Sequence, residues 1–207
     1  MIKTQWDQLE PYNDLCPMDG DVRSLTGCGA TAVSQIMNYY QWPEKGEGQI
    51  TYHAKTLDLD ISANFEDYTF DWANMTEQYD STSTTVQKTA VAELMYAIGV
   101  ASKMDYNSTG SESSLLDIAV ALEEYMGYDK NIIFSQRYFH SNSEWIHLIK
   151  NELNAKRPVF YRGGSSLGGH FFVCDGYDKD DLFHINWGWG GIADGYFPLD
   201  ILNPYLP

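Results

Sequence analysis

Residues 169–189 read GHFFVCDGYDKDDLFHINWGW. Two short aromatic and β-branched runs flank a cluster of Asp and Lys, the pattern of two strands folding back on each other near Asp178–Asp181. RPVFYRGG before them and GYFPL after them are equally short, apolar and punctuated by Gly. The last quarter of the chain therefore predicts an antiparallel sheet. Upstream, the apolar period becomes helical. Val33, Ile36, Met37 and Tyr40 share a face over about 30–40, and Val86, Ala90, Val91, Leu94, Met95 and Ile98 over about 85–102. Leu115, Ile118, Leu122 and Met126 do so over about 113–126, behind the serines of SSLLD. Trp145, Leu148, Ile149 and Leu153 do so over about 144–154. The first 25 residues read as loop, and 44–80 as irregular with short strands. Helices first and strands last, without βαβ alternation, predict an α+β fold. The expected layout is one domain over 1–207, helix-rich over about 26–155 and β-rich over about 156–207, with a cleft between the halves.

Composition narrows the function. The 207 residues, 43% of them hydrophobic, suffice for a substantial core. A net charge of −16, from 29 acidic and 13 basic residues, argues against a nucleic-acid partner or an anionic membrane surface. No apolar run is long enough for a membrane span, and no apolar leader segment opens the chain. Three cysteines, Cys16, Cys28 and Cys174, form no CxxC pair, so no structural zinc site is expected. Cys16 and Cys174 read as buried free thiols, with a disulfide between them as the alternative.

Cys28 is different. It stands between Gly27 and Gly29 in TGCGATAVSQIMNYY, at the predicted start of the first helix. Unpaired amides and the positive end of the helix dipole favour a thiolate there. The two glycines remove bulk, which leaves room for a substrate carbonyl over the sulfur. A thiol nucleophile needs a base. Of the five histidines, His170 follows the Gly-rich stretch GGSSLGG, read as a loop, and begins an apolar strand, so it can face a cleft from a rigid support. His184 lies mid-strand and reads as structural. The hairpin brings Asn186 and Trp187 towards His170: an Asn amide oxygen can orient an imidazole, and an indole can shield the bond. Trp189 reads as ordinary packing.

These residues carry a resemblance. WDQLEPYN, TGCGATAVSQIMNYYQWP, VQKTAVAELMYAIGVASKMDY, GSESS and GGHFFVCDGYDKDDLFHINWGWGGIADGYFPLDILNP, in that order, resemble the streptopain-type cysteine peptidases of the papain-like clan. The resemblance implies a two-lobed papain-like fold, its helical half carrying the nucleophile and its β half the histidine. It implies Cys28 as nucleophile, His170 as base, Gln8 (with Gln5 as the weaker candidate) at the oxyanion hole, and Asn186 and Trp187 beside the histidine. Ser111 and Gly169 match positions expected to bind substrate backbone. Protein or peptide substrates follow, with a propeptide or propeptide-like inhibitor as partner and no metal or organic cofactor. The same resemblance implies a bacterial enzyme, secreted, periplasmic or at the cell surface, made as a zymogen and represented here by its mature form. Rival readings are an inactive peptide-binding module and a papain-fold acyltransferase.

Overall fold

The computed structural model describes residues 1–165 and 168–204. A short hairpin, β1 (Met18–Asp19) and β2 (Val22–Arg23), interrupts an otherwise irregular N-terminal segment. Then come α1 (Cys28–Tyr40), the hairpin of β3 (Gln49–Ala54) and β4 (Leu59–Asn64), α2 (Thr85–Ala101), α3 (Leu115–Glu124) and α4 (Asn142–Asn154). β5 (Val159–Ser165), β6 (Gly168–Tyr177), β7 (Phe183–Asn186) and β8 (Gly195–Phe197) follow, and form one antiparallel sheet in chain order. The expected α+β arrangement is present.

The four helices start and stop within two residues of the expected positions. Side-chain caps set those starts. Thr84 with Gln87, and Ser141 with Glu144, form reciprocal capping boxes, while Ser114 caps α3 by accepting from the Asp117 amide. α1 stops where Gln41 turns left-handed ahead of Trp42-Pro43. The β3–β4 hairpin is more regular than the sequence suggests. One face pairs polar residues, Thr51 with Ser62 and His53 with Asp60. The other pairs Ile50 with Ala63, Tyr52 with Ile61 and Ala54 with Leu59, and rests on the first core cluster, where Ala54 and Ile61 are buried. GGSSLGG also departs from expectation: β5 and β6 stay paired through Gly164↔Gly169 and Ser165↔Gly168, so the stretch is mostly ladder. Its Ser166 and Leu167 lie outside the described residues.

Strand alternation divides the core in two. Phe160, Phe171 and Val173 point from one face of the sheet into a cluster with α1, α2 and α3. Phe172, Cys174, Ile185 and Trp187 point from the other face onto Trp145, Ile149 and Leu153 of α4, so this last helix packs with the strands. Cys16 sits in the first cluster and Cys174 in the second. Both are free thiols, which rules out the disulfide alternative. Burial pushes the Cys16 thiol up to about 12, and such a thiol is inert at neutral pH.

The N-terminal residues form a strap across both clusters. The Ile2 amide donates to Asp175 Oδ2 at 2.5 Å, Asn186 Nδ2 donates to the Thr4 carbonyl at 2.7 Å, and Gly190 N donates to the Trp6 carbonyl at 3.0 Å. Trp6 itself is fully buried, its indole N–H on the Thr76 carbonyl at 2.9 Å. Asp175 also pairs with His184 Nδ1 at 2.6 Å, which raises the histidine's pKa and gives His184 the structural role expected of it. Among the described residues no helix is long and apolar enough to cross a membrane.

Candidate active site

Cys28 is the first residue of α1, preceded by Gly27 at φ +87°. A Cβ on Gly27 would lie 2.7 Å from Met104 Sδ and 3.0 Å from the Ser111 carbonyl oxygen, so both conformation and space require glycine. Gly27→Ala is expected to cost about 3 kcal/mol, combining left-handed strain with overpacking. Thermal unfolding should show a fall in Tm of roughly 5–10 °C. Gly29 has another role than expected. A Cβ there would lie 2.7 Å from Ile118 Cδ1 and 3.5 Å from Phe171, so the missing side chain lets α1 close on α3 and β6, and does not open room above the sulfur.

The half-buried sulfur accepts from the Phe171 amide at 3.5 Å. Burial pushes the thiol up, opposed by the amides of Phe171, Gly29 and Cys28 itself, with Glu112 adding to the rise. The contact to Phe171 sets the Cys28 sulfur against β6, the strand that bears His170 at the preceding position. His170 Nε2 lies 2.8 Å from the Trp187 carbonyl oxygen. A carbonyl only accepts, so Nε2 carries the proton and Nδ1 of the neutral ring is left as the basic nitrogen. Burial lowers the imidazole pKa, and the Trp187 carbonyl opposes that fall. The Trp189 ring lies 4.8 Å from the imidazole, against 6.2 Å for Trp187, so Trp189 is the nearer indole cover.

The register explains why Asn186 does not hold the ring directly. Val173 pairs with Asn186, which puts the Asn186 side chain on the α1 face of the sheet. His170 and Phe172 lie on the opposite face, with Trp187. The Asn186 oxygen instead accepts from Gln35 Nε2 at 2.9 Å and Gly188 N at 3.0 Å. The expected Asn186 amide acceptor is thus replaced by the main-chain carbonyl of Trp187. Trp187 is held in turn by Asp194, which accepts its N–H at 2.8 Å, and by the Ala193 carbonyl, which accepts its indole N–H at 3.0 Å.

Gln8 reaches the nucleophile turn through its main chain, its carbonyl accepting from the Thr26 amide at 3.2 Å. Gln5 is engaged elsewhere, its side chain bonded to Gln78 and packed against Gly191. The buried Ser111 hydroxyl donates to the Leu25 carbonyl at 2.7 Å and accepts from the Asn107 amide at 3.0 Å. That side chain braces the loop behind Gly27, which leaves the Ser111 backbone for any substrate contact. Gly169 is exposed beneath the Arg162 guanidinium. Asp194 and Gln35 escaped the sequence reading, and Trp189, read as packing, lies against the imidazole. Gln35 did carry a signal: it is a polar residue seven positions after Cys28, on the buried stripe of α1.

A model of the peptidase C10 family matches residues 6–197. Streptopain of Streptococcus pyogenes is 36% identical over 219 aligned residues, covering 96% of this chain and 54% of streptopain. The chain therefore spans about half the length of that relative. The thiol protease/hemagglutinin PrtT of Porphyromonas gingivalis is also 36% identical, over 96% of this chain and 23% of its own. Among solved structures, active interpain A cysteine protease of Prevotella intermedia superposes with a TM-score of 0.91 at 38% identity, over 98% of this chain and 86% of that one. A prointerpain A fragment from the same organism gives 0.89 at 39% identity, over 98% and 65%. The fold is thus the papain-like one expected.

Proposed function

The chain belongs to the peptidase C10 family, and from that premise we propose that it is a cysteine endopeptidase working through Cys28 and His170. The observation that carries the reading is a helix-start thiol lying against the strand that bears an imidazole, whose Nε2 is tied to the Trp187 carbonyl. Burial opposes a lone thiolate and a lone imidazolium. Moving the proton from Sγ to Nδ1 charges both together, leaves the pair neutral overall, and gains from the amides at the helix start.

In this reading Sγ attacks the scissile carbonyl carbon, and the carbonyl oxygen becomes an oxyanion. The Cys28 amide and the Gln8 side chain are its donors. The C–N bond breaks as Nδ1–H protonates the departing amine, leaving a thioester. Water then attacks, its proton passes to Nδ1, and the C–S bond breaks to release the acid and restore the pair. Trp187 and Trp189 screen the imidazole from solvent. The Ser111 backbone and Gly169 are assigned to the substrate main chain.

Protein or peptide chains are the substrates this implies. The name prointerpain A supports a pro-form here too, with a pro-segment as partner. A bacterial, exported enzyme is part of the same proposal; the relatives named are bacterial. Incubation with unfolded casein should release one new α-amine per bond cut, and iodoacetamide should stop the reaction by alkylating Cys28 well ahead of Cys16 and Cys174. Peptide binding without new amines would overturn the proposal in favour of a binding module. Products found only on an added amine acceptor would point to acyl transfer.

A further inference from the structure

We propose that Gln35 is a positioning residue for His170, acting through Asn186 and a single peptide unit. The inference rests on the Cys28–His170 reading. The Trp187 carbonyl that holds Nε2 belongs to the Trp187–Gly188 peptide. The N–H of that same peptide, on Gly188, donates to Asn186 Oδ1 at 3.0 Å, and Gln35 Nε2 donates to the same oxygen at 2.9 Å. The opposite ends of both amides are used as well. Asn186 Nδ2 donates to the Thr4 carbonyl at 2.7 Å, while Gln35 Oε1 accepts from Thr4 Oγ1 at 2.9 Å and from Trp6 N at 3.4 Å.

Gln35 is fully buried and Asn186 is 3% exposed, so water does not substitute for a lost partner. Turning either amide over would set donor against donor, so the proton pattern has one solution. Gly188, at φ +71°, lies against α1 with its ideal Cβ position 3.1 Å from Thr31 Cγ2, which brings the peptide down onto the nucleophile helix. One chain of bonds therefore runs from the helix that carries Cys28 to the ring of His170. Gln35 and Gly188 donate to the same oxygen, so Gln35 acts by holding Asn186 Oδ1 in place. The Gly188 bond to that oxygen then fixes and polarises the peptide whose carbonyl accepts from His170. A misplacement of the ring by about 1 Å can cost on the order of 100-fold in rate.

A buried amide pair could also serve only to join the two clusters. Gln35→Glu separates the two roles. The protonated carboxyl reproduces the pattern: O–H to Asn186, C=O from Thr4 and Trp6. The ionised carboxylate has no donor for Asn186 Oδ1 and repels it, so the Asn186 amide is driven to turn over, which would face Nδ2 to the Gly188 N–H and leave that N–H without its acceptor. The measurement is the rate of Cys28 alkylation by iodoacetamide, read by mass spectrometry, with casein kcat and KM in parallel, between pH 5 and 8. Asp194, on the Trp187 N–H, Asp7, beside Gly190, and Glu112, facing Cys28, are present in both proteins, so the wild-type profile is the reference.

Near pH 5 Gln35→Glu should match wild type. By pH 8 it should fall about tenfold to 100-fold below it, in kcat with KM little changed, while circular dichroism still reports a folded protein. Gln35→Met keeps the volume without the donor, and should lose a similar factor at every pH, with the alkaline limb of Cys28 alkylation moved to lower pH. Folded variants whose alkylation profiles overlay that of wild type overturn the proposal. Failure of wild type to cut casein would instead sink the peptidase reading, and the alkylation profile is measurable either way.

Discussion

Cys28→Ala is expected to lower kcat/KM on a protein substrate by on the order of 10⁴-fold or more, with folding stability changed by about 1 kcal/mol or less. The sulfur is the only nucleophile in the proposed chemistry, and no neighbouring group replaces it: Cys16 and Cys174 are buried in separate clusters. His170→Ala should fall nearly as far, because a thiol without its base is a poor nucleophile at neutral pH. The double variant should be little worse than either single one, since the two side chains act as one unit. Peptide mapping of digested casein and thermal melts of the variants check both halves of the claim. Cleavage by Cys28→Ala at more than a few per cent of the wild-type rate would require a different nucleophile.

Trp6→Ala should be the most damaging substitution outside the reacting pair. The side chain is fully buried, its N–H is on the Thr76 carbonyl, and its backbone meets Gln35 on one side and Gly190 on the other. Emptying that site costs about 3–5 kcal/mol, a fall in Tm of roughly 10 °C for a chain of this size. Activity measured well below the melt should fall too, because Gln8 follows two residues later on the same strap. Trp6→Phe restores most of the volume but leaves the Thr76 carbonyl without its donor, and should cost only about 1–3 kcal/mol. An unchanged Tm in Trp6→Ala would mean that the strap adds nothing to the fold.

α1, α3 and α4 were legible because each buries one face and shows a period near 3.6. α2 and β6, buried nearly all round, were legible as apolar runs, long for the helix, and short and bounded by Gly and Asp for the strand. The β3–β4 hairpin was legible only as short strands, because its inward residues Ile50, Tyr52 and Ala63 are partly buried and alternate with Gln49, Thr51, His53 and Ser62. Cys28 and His170 stood out as candidates by their settings, glycine-flanked at a helix start and at the head of an apolar strand. The holder of His170 did not. Sequence proximity favoured the Asn186 side chain, but pairing with Val173 turns that side chain to the other face, and the acceptor is a main-chain oxygen that no residue type announces. Gly29 was misread for a related reason: nothing in the local sequence tells that Ile118, from a helix 86 residues further along, fills the space beside it. Close approach of this kind is a tertiary fact.

The strap has a consequence in time. Its contacts across the chain join residues 173 to 184 positions apart, Ile2 with Asp175, Thr4 with Asn186 and Trp6 with Gly190. Pairings of such long range close the largest loops a chain can make, and they form late. On a ribosome, α1 can fold long before β6 exists, but Cys28 meets His170, and Gln35 meets Asn186, only after residues near 190 have emerged. Synthesis at about 5–20 residues per second puts several seconds between exposure of the thiol and arrival of its base. Throughout that interval the nascent chain carries the proposed nucleophile without its proposed base, so the order of the elements along the chain would hold back any cutting by that pair until the sheet is nearly complete.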